Sequence, residues 1–296
     1  MTSLLPIMAG RPLPMTAGRW VALVAGVPLA LLVIGYTALT AVAFAGLGSY
    51  QVNLATPVAG RTAVVSVDSG DVTVRPGPAG QLRVHGNLRY SLARPQVSWR
   101  RSASVIAVRS RCRVPAGLCL LDYTAAVPAG ARSSVSDGSG DLAASGLAGS
   151  VTLHDGSGDI TAAGLSGTPT ISDQSGDIVV SSLSGTRAVI MDDSGDITGS
   201  GVASQGLTVT DQSGNITVTF TKVPDRVQVS DSSGDVTLVL PPGPAAYRVS
   251  ASTSSGSTSI SVPRSLTSPH LISVTSQSGD ISISTGQPGR GHRHGR

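Results

Sequence analysis

The sequence predicts an all-β protein, a parallel β-helix or β-solenoid with coils of 18–23 residues, preceded by one transmembrane α-helix. Three observations predict it. A Ser-Gly-Asp corner recurs at nearly constant spacing, short apolar runs alternate on either side of each corner, and the composition avoids strong helix formers. All 17 acidic residues are Asp, Lys222 is the single lysine, and 36 glycines accompany 18 prolines among 296 residues. Glu and Lys favour helices whereas Asp and Gly favour turns, so the bias points to strands joined by many corners.

The corner glycines fall at Gly140, Gly158, Gly176, Gly195, Gly214, Gly234 and Gly279, with a degenerate Ser255-Gly256-Ser257 between the last two. Their spacings are 18, 18, 19, 19, 20, 22 and 23 residues. A separate copy, "VSVDSGDVTV", carries Gly70. A second, weaker corner, written "ASGLAGS", "AAGLSGT" and "SSLSGT", lies between the first ones. Each period therefore reads strand, D-x-S-G-D corner, strand, G-L-x-G corner. The apolar residues alternate in the same columns from period to period: Val151, Leu153, Ile160 and Leu165, then Ile171, Ile178, Val180 and Leu183. One such unit cannot bury its apolar face alone, but stacked units share a continuous core, with neighbouring coils pairing as parallel strands about 4.8 Å apart. An antiparallel sandwich of hairpins is the alternative, because strands at this spacing also fit that class. At the corner itself, Gly permits the positive φ of a sharp bend, while Asp and Ser side chains satisfy the backbone N–H groups that the bend releases.

The N-terminal segment has a different character. Trp20 to Leu47 is a run of 28 residues without a charge, and roughly 20 suffice to cross a bilayer core. Arg11 and Arg19 precede it and only Arg61 follows closely, so the positive-inside bias places the N-terminus in the cytoplasm and the rest of the chain outside. A cleaved signal peptide, starting from Met15 and cut after Ala43-x-Ala45, is the other reading, and it exports the same domain. The expected organisation is a cytoplasmic segment at 1–19, the membrane helix at 20–47, a linker at 48–63, an N-terminal β part with a disulfide loop at 64–132, the solenoid repeats at 133–285, and a disordered basic tail at 286–296. Export agrees with the two cysteines: Cys112 and Cys119 flank Pro115 and Gly117 in "CRVPAGLC" and are expected to pair in an oxidising compartment.

Chemistry is sparse. A Ser/His/Asp site would need a histidine held beside both partners, whereas His154 projects from the outer side of a strand. No glycine-rich phosphate loop opens a helix, because each Ser-Gly-Asp leads into a strand. Paired carboxylates such as Asp155 and Asp159 recur in successive corners, which a catalytic pair has no reason to do. No enzyme activity, catalytic residue, cofactor or resident metal is expected. Stacking would align Asp155 with Asp173 and Asp159 with Asp177, and such like charges repel by roughly 1 kcal/mol per neighbour even in water. Calcium could offset this, but Asp stands in only one of the two half-turns and the Gly-Gly of calcium-binding β-rolls is missing, so the Asp155, Asp159, Asp173 and Asp177 ladder reads as structural. The basic residues concentrate at Arg94, Arg100, Arg101, Arg109, Arg111 and Arg113, a candidate anion-binding face for lipid headgroups or wall polymers, or else a solvated face. Nucleic acid is excluded as a partner by export and by the shortage of aromatics to stack on bases.

The run "VPAGARSSVSDGSGDLAASGLAGSVTLHDGSGDI", followed by "VTLVLPPGPAAYRVSASTSSGSTSISV", resembles the bacterial putative-adhesin family of unknown function, some of whose members are related to envelope-stress surface proteins. The likeness extends from about Val64 to Ser284. It implies a right-handed β-helix-like domain displayed at the cell surface, without an established enzymatic site. The sequence thus leads to a single-pass membrane protein whose extracytoplasmic β-solenoid acts as an adhesin-like scaffold or recognition surface. Its partners would be the membrane through the N-terminal helix, and a cell-wall polymer, lipid headgroups or another envelope protein. The alternative is an envelope-stress sensor or regulator acting through protein partners.

Overall fold

The computed structural model describes residues 26–37, 48–58, 62–91, 93–102, 105–112 and 119–286. It divides into two units, 1–47 and 48–296. In the first, residues 26–37 form a helix whose side chains are exposed all round, Leu32 to 70% and Leu29 to 64%. No helix among the described residues is long and apolar enough to cross a membrane. The remainder of the 20–47 segment lies outside the described residues, as do the 1–19 segment, Arg113 and the tail beyond Gly286.

Strands dominate the second unit. Its first seven are β1 (Gly48–Pro57), β2 (Thr62–Val67), β3 (Val72–Gly77), β4 (Gln81–Tyr90), β5 (Gln96–Arg101), β6 (Val105–Arg111) and β7 (Cys119–Pro128). The repeats supply β8 (Ser133–Asp137), β9 (Leu142–Ser145), β10 (Ala148–His154), β11 (Ile160–Ala163), β12 (Ser166–Ser172), β13 (Ile178–Ser181), β14 (Ser184–Asp192), β15 (Ile197–Asp211), β16 (Ile216–Phe220), β17 (Arg226–Ser233) and β18 (Val236–Leu240). The last four are β19 (Arg248–Ser255), β20 (Thr258–Ser261), β21 (Leu271–Ser278) and β22 (Ile281–Thr285).

Throughout the repeats the pairing is parallel and, apart from shifts after Gly167 and Gly199, in register, which rules out the hairpin sandwich. Leu153 pairs with Ile171 and Ile171 with Ile190 on one face, while Ile160 pairs with Ile178 and Ile178 with Ile197 on the other. The long strand β15 serves both faces: its start pairs with β13 and β16, and its end with β14 and β17. Between the faces runs one core. The alternating residues named from the sequence, Val151, Leu153, Ile160, Leu165, Ile171, Ile178, Val180 and Leu183, are all buried. The result is an all-β, open, solenoid-like stack of parallel coils.

Two boundaries differ from expectation. Residues 48–57, read as linker, form β1, which pairs antiparallel with β4 over ten residue pairs. The cause is visible in "QVNLATP", where Val52, Leu54 and Thr56 alternate toward the interior. The division between 64–132 and 133–285 is not structural either. The coil made by β2 and β3 pairs with β8 and β9 on one side and with β6 and β7 on the other, so the "VSVDSGDVTV" copy is a full member of the stack. Antiparallel strands then extend this end, β4 and β1 beyond β7 on one face and β5 beyond β6 on the other.

Chain order is permuted at the opposite end as well. The final coil, β21 and β22, lies between β17/β18 and β19/β20, which makes β19/β20 the outermost layer. That layer is polar and mostly exposed, as a terminal repeat must be when nothing stacks on it.

Column position should govern tolerance to charge. Ile178 is fully buried and Thr161 faces out on the same sheet. Ile178→Asp is expected to destabilise the domain by several kcal/mol, on the order of 3–5, and Thr161→Asp by less than about 1. Thermal melts of the two variants check this, and equal shifts would contradict the assignment of inner and outer columns.

Candidate functional site

Each D-x-S-G-D corner holds two aspartates, and the fold gives them opposite surroundings. The first of each pair, Asp137, Asp155, Asp173, Asp192, Asp211 and Asp231, forms a buried column. Its Oδ1 accepts N–H groups of its own turn: Gly156 and Ser157 donate to Asp155 at 2.7 and 3.2 Å, and Gln174 and Ser175 to Asp173 at 2.7 and 3.3 Å. The other oxygen, Oδ2, is buried without a hydrogen-bond partner at Asp137, Asp155, Asp173, Asp192 and Asp211. It packs into space left by the missing side chain of the corner glycine, 3.3 Å from where a Cβ on Gly158 would stand beside Asp155. The column ends in neutral groups. Val67 pairs with Asp137, and Ser276 pairs with Asp231, donating its hydroxyl to Asp231 Oδ2 at 2.9 Å.

The second column faces outward: Asp71, Asp141, Asp159, Asp177, Asp196, Asn215, Asp235 and Asp280. Here each Oδ1 accepts the backbone N–H of the equivalent residue one coil on. Asp177 donates to Asp159 and Asp196 to Asp177, both at 2.9 Å, and the chain of bonds continues through Asn215 to Asp280. The carboxylates considered as a calcium ladder are therefore engaged by backbone donors, and no group of three or more metal-ligating side chains is assembled among the described residues. His154 is half-buried on the outer side of β10, with Nδ1 2.9 Å from the Ser172 hydroxyl.

Burial governs the ionisation of the inner column. It pushes the Asp137 carboxyl up to about 7 and those of Asp192 and Asp211 to about 6, against the lowering effect of the turn N–H groups, and neighbouring carboxylates add to the rise. Asp155, Asp173 and Asp231 are raised by burial too. Asp280, at the exposed end of the outer ladder, goes the other way because the Ser257 N–H stabilises its charge.

The arginine-rich region is brought together in part. On the antiparallel β5–β6 pair, Gln96 faces Arg111, Ser98 faces Arg109 and Arg100 faces Ala107, so alternation puts Arg100, Arg109 and Arg111 on one side. With Arg94 and Tyr50 they line an open cleft of about 580 Å³. Arg94 is fixed by two aromatics: its guanidinium lies 4.9 Å from the Tyr50 ring centroid, and its Nε donates to the Tyr90 hydroxyl at 3.1 Å. Arg101 does not join the cleft, because it alternates to the opposite face beside Trp99, which is 60% exposed. Tyr50 is not legible as a member of this group from the sequence, because residues 48–63 read as a linker. A second cleft of about 610 Å³ lies along β1 and β4, but there His85 is bonded to Asn53 and Arg83 to Gln81.

Cys112 and Cys119 are disulfide-bonded, as expected from their spacing. The bond closes the corner between β6 and β7 at the place where the other coils carry Ser-Gly-Asp. The Cys112 N–H donates to Asp68 Oδ2 at 3.3 Å, and the Leu121 N–H donates to the Ser69 carbonyl at 3.0 Å.

A stack of in-register parallel coils with aspartate-lined corners defines the class of protein, and comparison supplies the family. The chain belongs to the Toastrack DUF4097 family, whose profile matches residues 127–284. No curated protein matches it. Among solved structures it is similar to a putative adhesin from Bacteroides fragilis, at 12% identity over 79% of this chain and 97% of that one, with a TM-score of 0.44. It is also similar to a putative adhesin from Parabacteroides merdae, at 9% identity over 82% of this chain and 97% of that one, TM-score 0.32. A putative cell adhesion protein from Clostridium sporogenes is similar at 9% identity over 81% of this chain and 100% of that one, TM-score 0.26.

The inner column gives the domain an unusual response to pH. In the unfolded chain these carboxyls ionise near 3.8, whereas in the fold Asp137, Asp192 and Asp211 hold their protons to about 6 or 7. The unfolded state thus releases protons first as pH rises, so the column's contribution is fully present below about pH 4 and is lost on the way to pH 7. The melting temperature is expected to fall by several degrees across that window, and Asp192→Asn to flatten part of the slope. A melting temperature that climbs from pH 4 to pH 7 would contradict the buried, proton-holding column.

The outer ladder is expected to tolerate a neutral amide, as Asn215 already shows in the same column. Asp177→Asn should change stability by less than about 0.5 kcal/mol, and Asp177→Ala, which leaves the Asp196 N–H without its acceptor, should cost about 1–2. Chemical denaturation of the pair measures the difference.

Proposed function

We propose that the protein is a single-pass membrane protein whose extracytoplasmic β-solenoid serves as an adhesin-like scaffold or recognition surface and not as an enzyme. The observation that carries this reading is the disposition of the reactive side chains. The aspartates of the corners are tied to backbone N–H groups coil after coil, while the outer faces of the strands present short side chains in register, such as Thr161, Val179, Thr198 and Thr217 on one sheet. A surface of that kind repeats at the strand spacing and suits contact with an extended partner better than enclosure of a small substrate. The coils wind right-handed by the general rule for parallel crossovers.

Anchorage is supported by the helix at 26–37, which exposes Leu29, Leu31, Leu32, Val33, Ile34 and Tyr36 on all sides. A helix that is apolar all round belongs in a lipid or protein interior. The uncharged 20–47 run, the arginines ahead of it and the disulfide agree with an anchored, exported domain.

A reporter fused after Arg296 is expected to be active only when it requires the extracytoplasmic side. In the same cells, crosslinking followed by capture of the protein should yield envelope polymer or lipid as the main adduct. Activity of a cytoplasmic reporter would overturn the topology, and recovery of one signalling protein as the main adduct would favour a sensor role over a scaffold.

A further inference from the structure

The arginine cleft at the β1–β5–β6 end of the stack is a site that the scaffold reading does not require. Its wall carries Arg94, Arg100, Arg109 and Arg111 and no carboxylate. Among the described residues the only ion pair is Arg89 with Asp122, besides a 3.7 Å contact of His270 with Asp225, so none of these four guanidinium groups has an acidic partner. The imbalance is regional: residues 48–113 contain ten arginines and two aspartates, Asp68 and Asp71. Like charges gathered around one cleft repel, and a domain keeps such a set most readily where an anion offsets it. The fixed orientation of Arg94, held by Tyr50 and Tyr90, further distinguishes this set from freely solvated arginines.

We propose that this cleft binds phosphate groups, and that the phosphate is that of an anionic phospholipid headgroup in the membrane that carries the protein. The inference rests on the anchorage proposed above. On that reading Tyr50, which lines the cleft, stands three residues beyond the 20–47 segment, a contour length of at most about 10 Å. That is comparable to the screening length of physiological salt, so the chain itself tethers the Tyr50 edge of the cleft within reach of a charged membrane surface. Guanidinium groups match phosphate oxygens with paired N–H donors, which a single point charge would not do.

Hydrogen exchange of the full chain in lipid nanodiscs tests this. The discs contain either phosphatidylcholine alone or equimolar phosphatidylcholine and phosphatidylglycerol, and a third sample adds millimolar glycerol phosphate to the phosphatidylcholine discs. Expected is about fivefold slower exchange of the 94–111 region in the phosphatidylglycerol discs, the order for a basic residue held at an anionic surface. The effect should vanish in the Arg100→Gln, Arg109→Gln, Arg111→Gln triple variant, whose melting temperature should match the wild type because all three side chains are exposed. An Arg248→Gln control, far along the stack, should retain it. Equal exchange in both lipids overturns the headgroup site while leaving anchorage intact. Protection by glycerol phosphate without a response to phosphatidylglycerol overturns the lipid as its source. A chain that does not stay with the discs overturns the anchorage and this inference together. A triple variant that melts early but keeps the phosphatidylglycerol response overturns the role of these arginines.

Discussion

The stack depends on how closely one corner can lie on the next. At Gly176 the backbone adopts φ +146°, and an added Cβ would land on the carbonyl oxygen of Gly158. The same relation repeats at Gly195 over Gly176, so the glycines are in contact, backbone on backbone, along the corner. Hydrogen bonds then run through the bend as they do through the strands: the Gly158 N–H donates to Ser175, Gly176 to Ser194 and Gly195 to Ser213, each at 3.0 Å. A side chain at this position would wedge two coils apart and open both sheets and the core between them. Only a residue without a Cβ meets the requirement, because the conformation and the clearance exclude all others.

From that constraint the two aspartates acquire their different roles. Because coils nest at the strand spacing, an oxygen that projects along the stack reaches the next backbone N–H, as Asp177 Oδ1 does for Asp196. The outer ladder is thus a second line of coil-to-coil bonds beside the backbone ladder. The inner aspartate instead folds back on its own turn, and nesting seals its second oxygen from water. Burial raises the carboxyls of Asp137, Asp192 and Asp211 to about 7, 6 and 6, so below those pH values the proton removes the repulsion of stacked charges, and above them the N–H groups of each turn stabilise the charge.

The ends obey a different requirement, since a coil with one neighbour leaves an edge. At one end, antiparallel β1, β4 and β5 continue the two sheets beyond β7 and β6, and the disulfide spans a corner whose sequence lacks Ser-Gly-Asp. At the other, the chain passes beyond β21/β22 to lay down the polar β19/β20 layer before returning to fill the gap. Both devices terminate the stack with strands unsuited to continuing it.

The sequence by itself determined the repeat, the class of fold and the inner and outer columns, because period-2 alternation and the corner chemistry are local. Ile160, Ile178 and Ile197 align by counting alone. It also indicated the disulfide, from two cysteines seven residues apart around a turn. Only the tertiary structure decided matters of long-range neighbourhood. It made the Gly70 copy part of the stack, placed β21/β22 inside β19/β20, and recruited 48–57 as a strand by pairing it with residues 24 to 42 positions further along the chain. It sorted Arg100 from Arg101 and joined the former to Tyr50 and Arg94, and it required Ser182 to take the positive φ that Gly146, Gly164 and Gly201 adopt at the equivalent corner. The physical reason is common to all of these. A residue's own pattern states which way it faces along a strand, but which strand lies beside it, and how much water remains between, is set by the stacking of the whole chain.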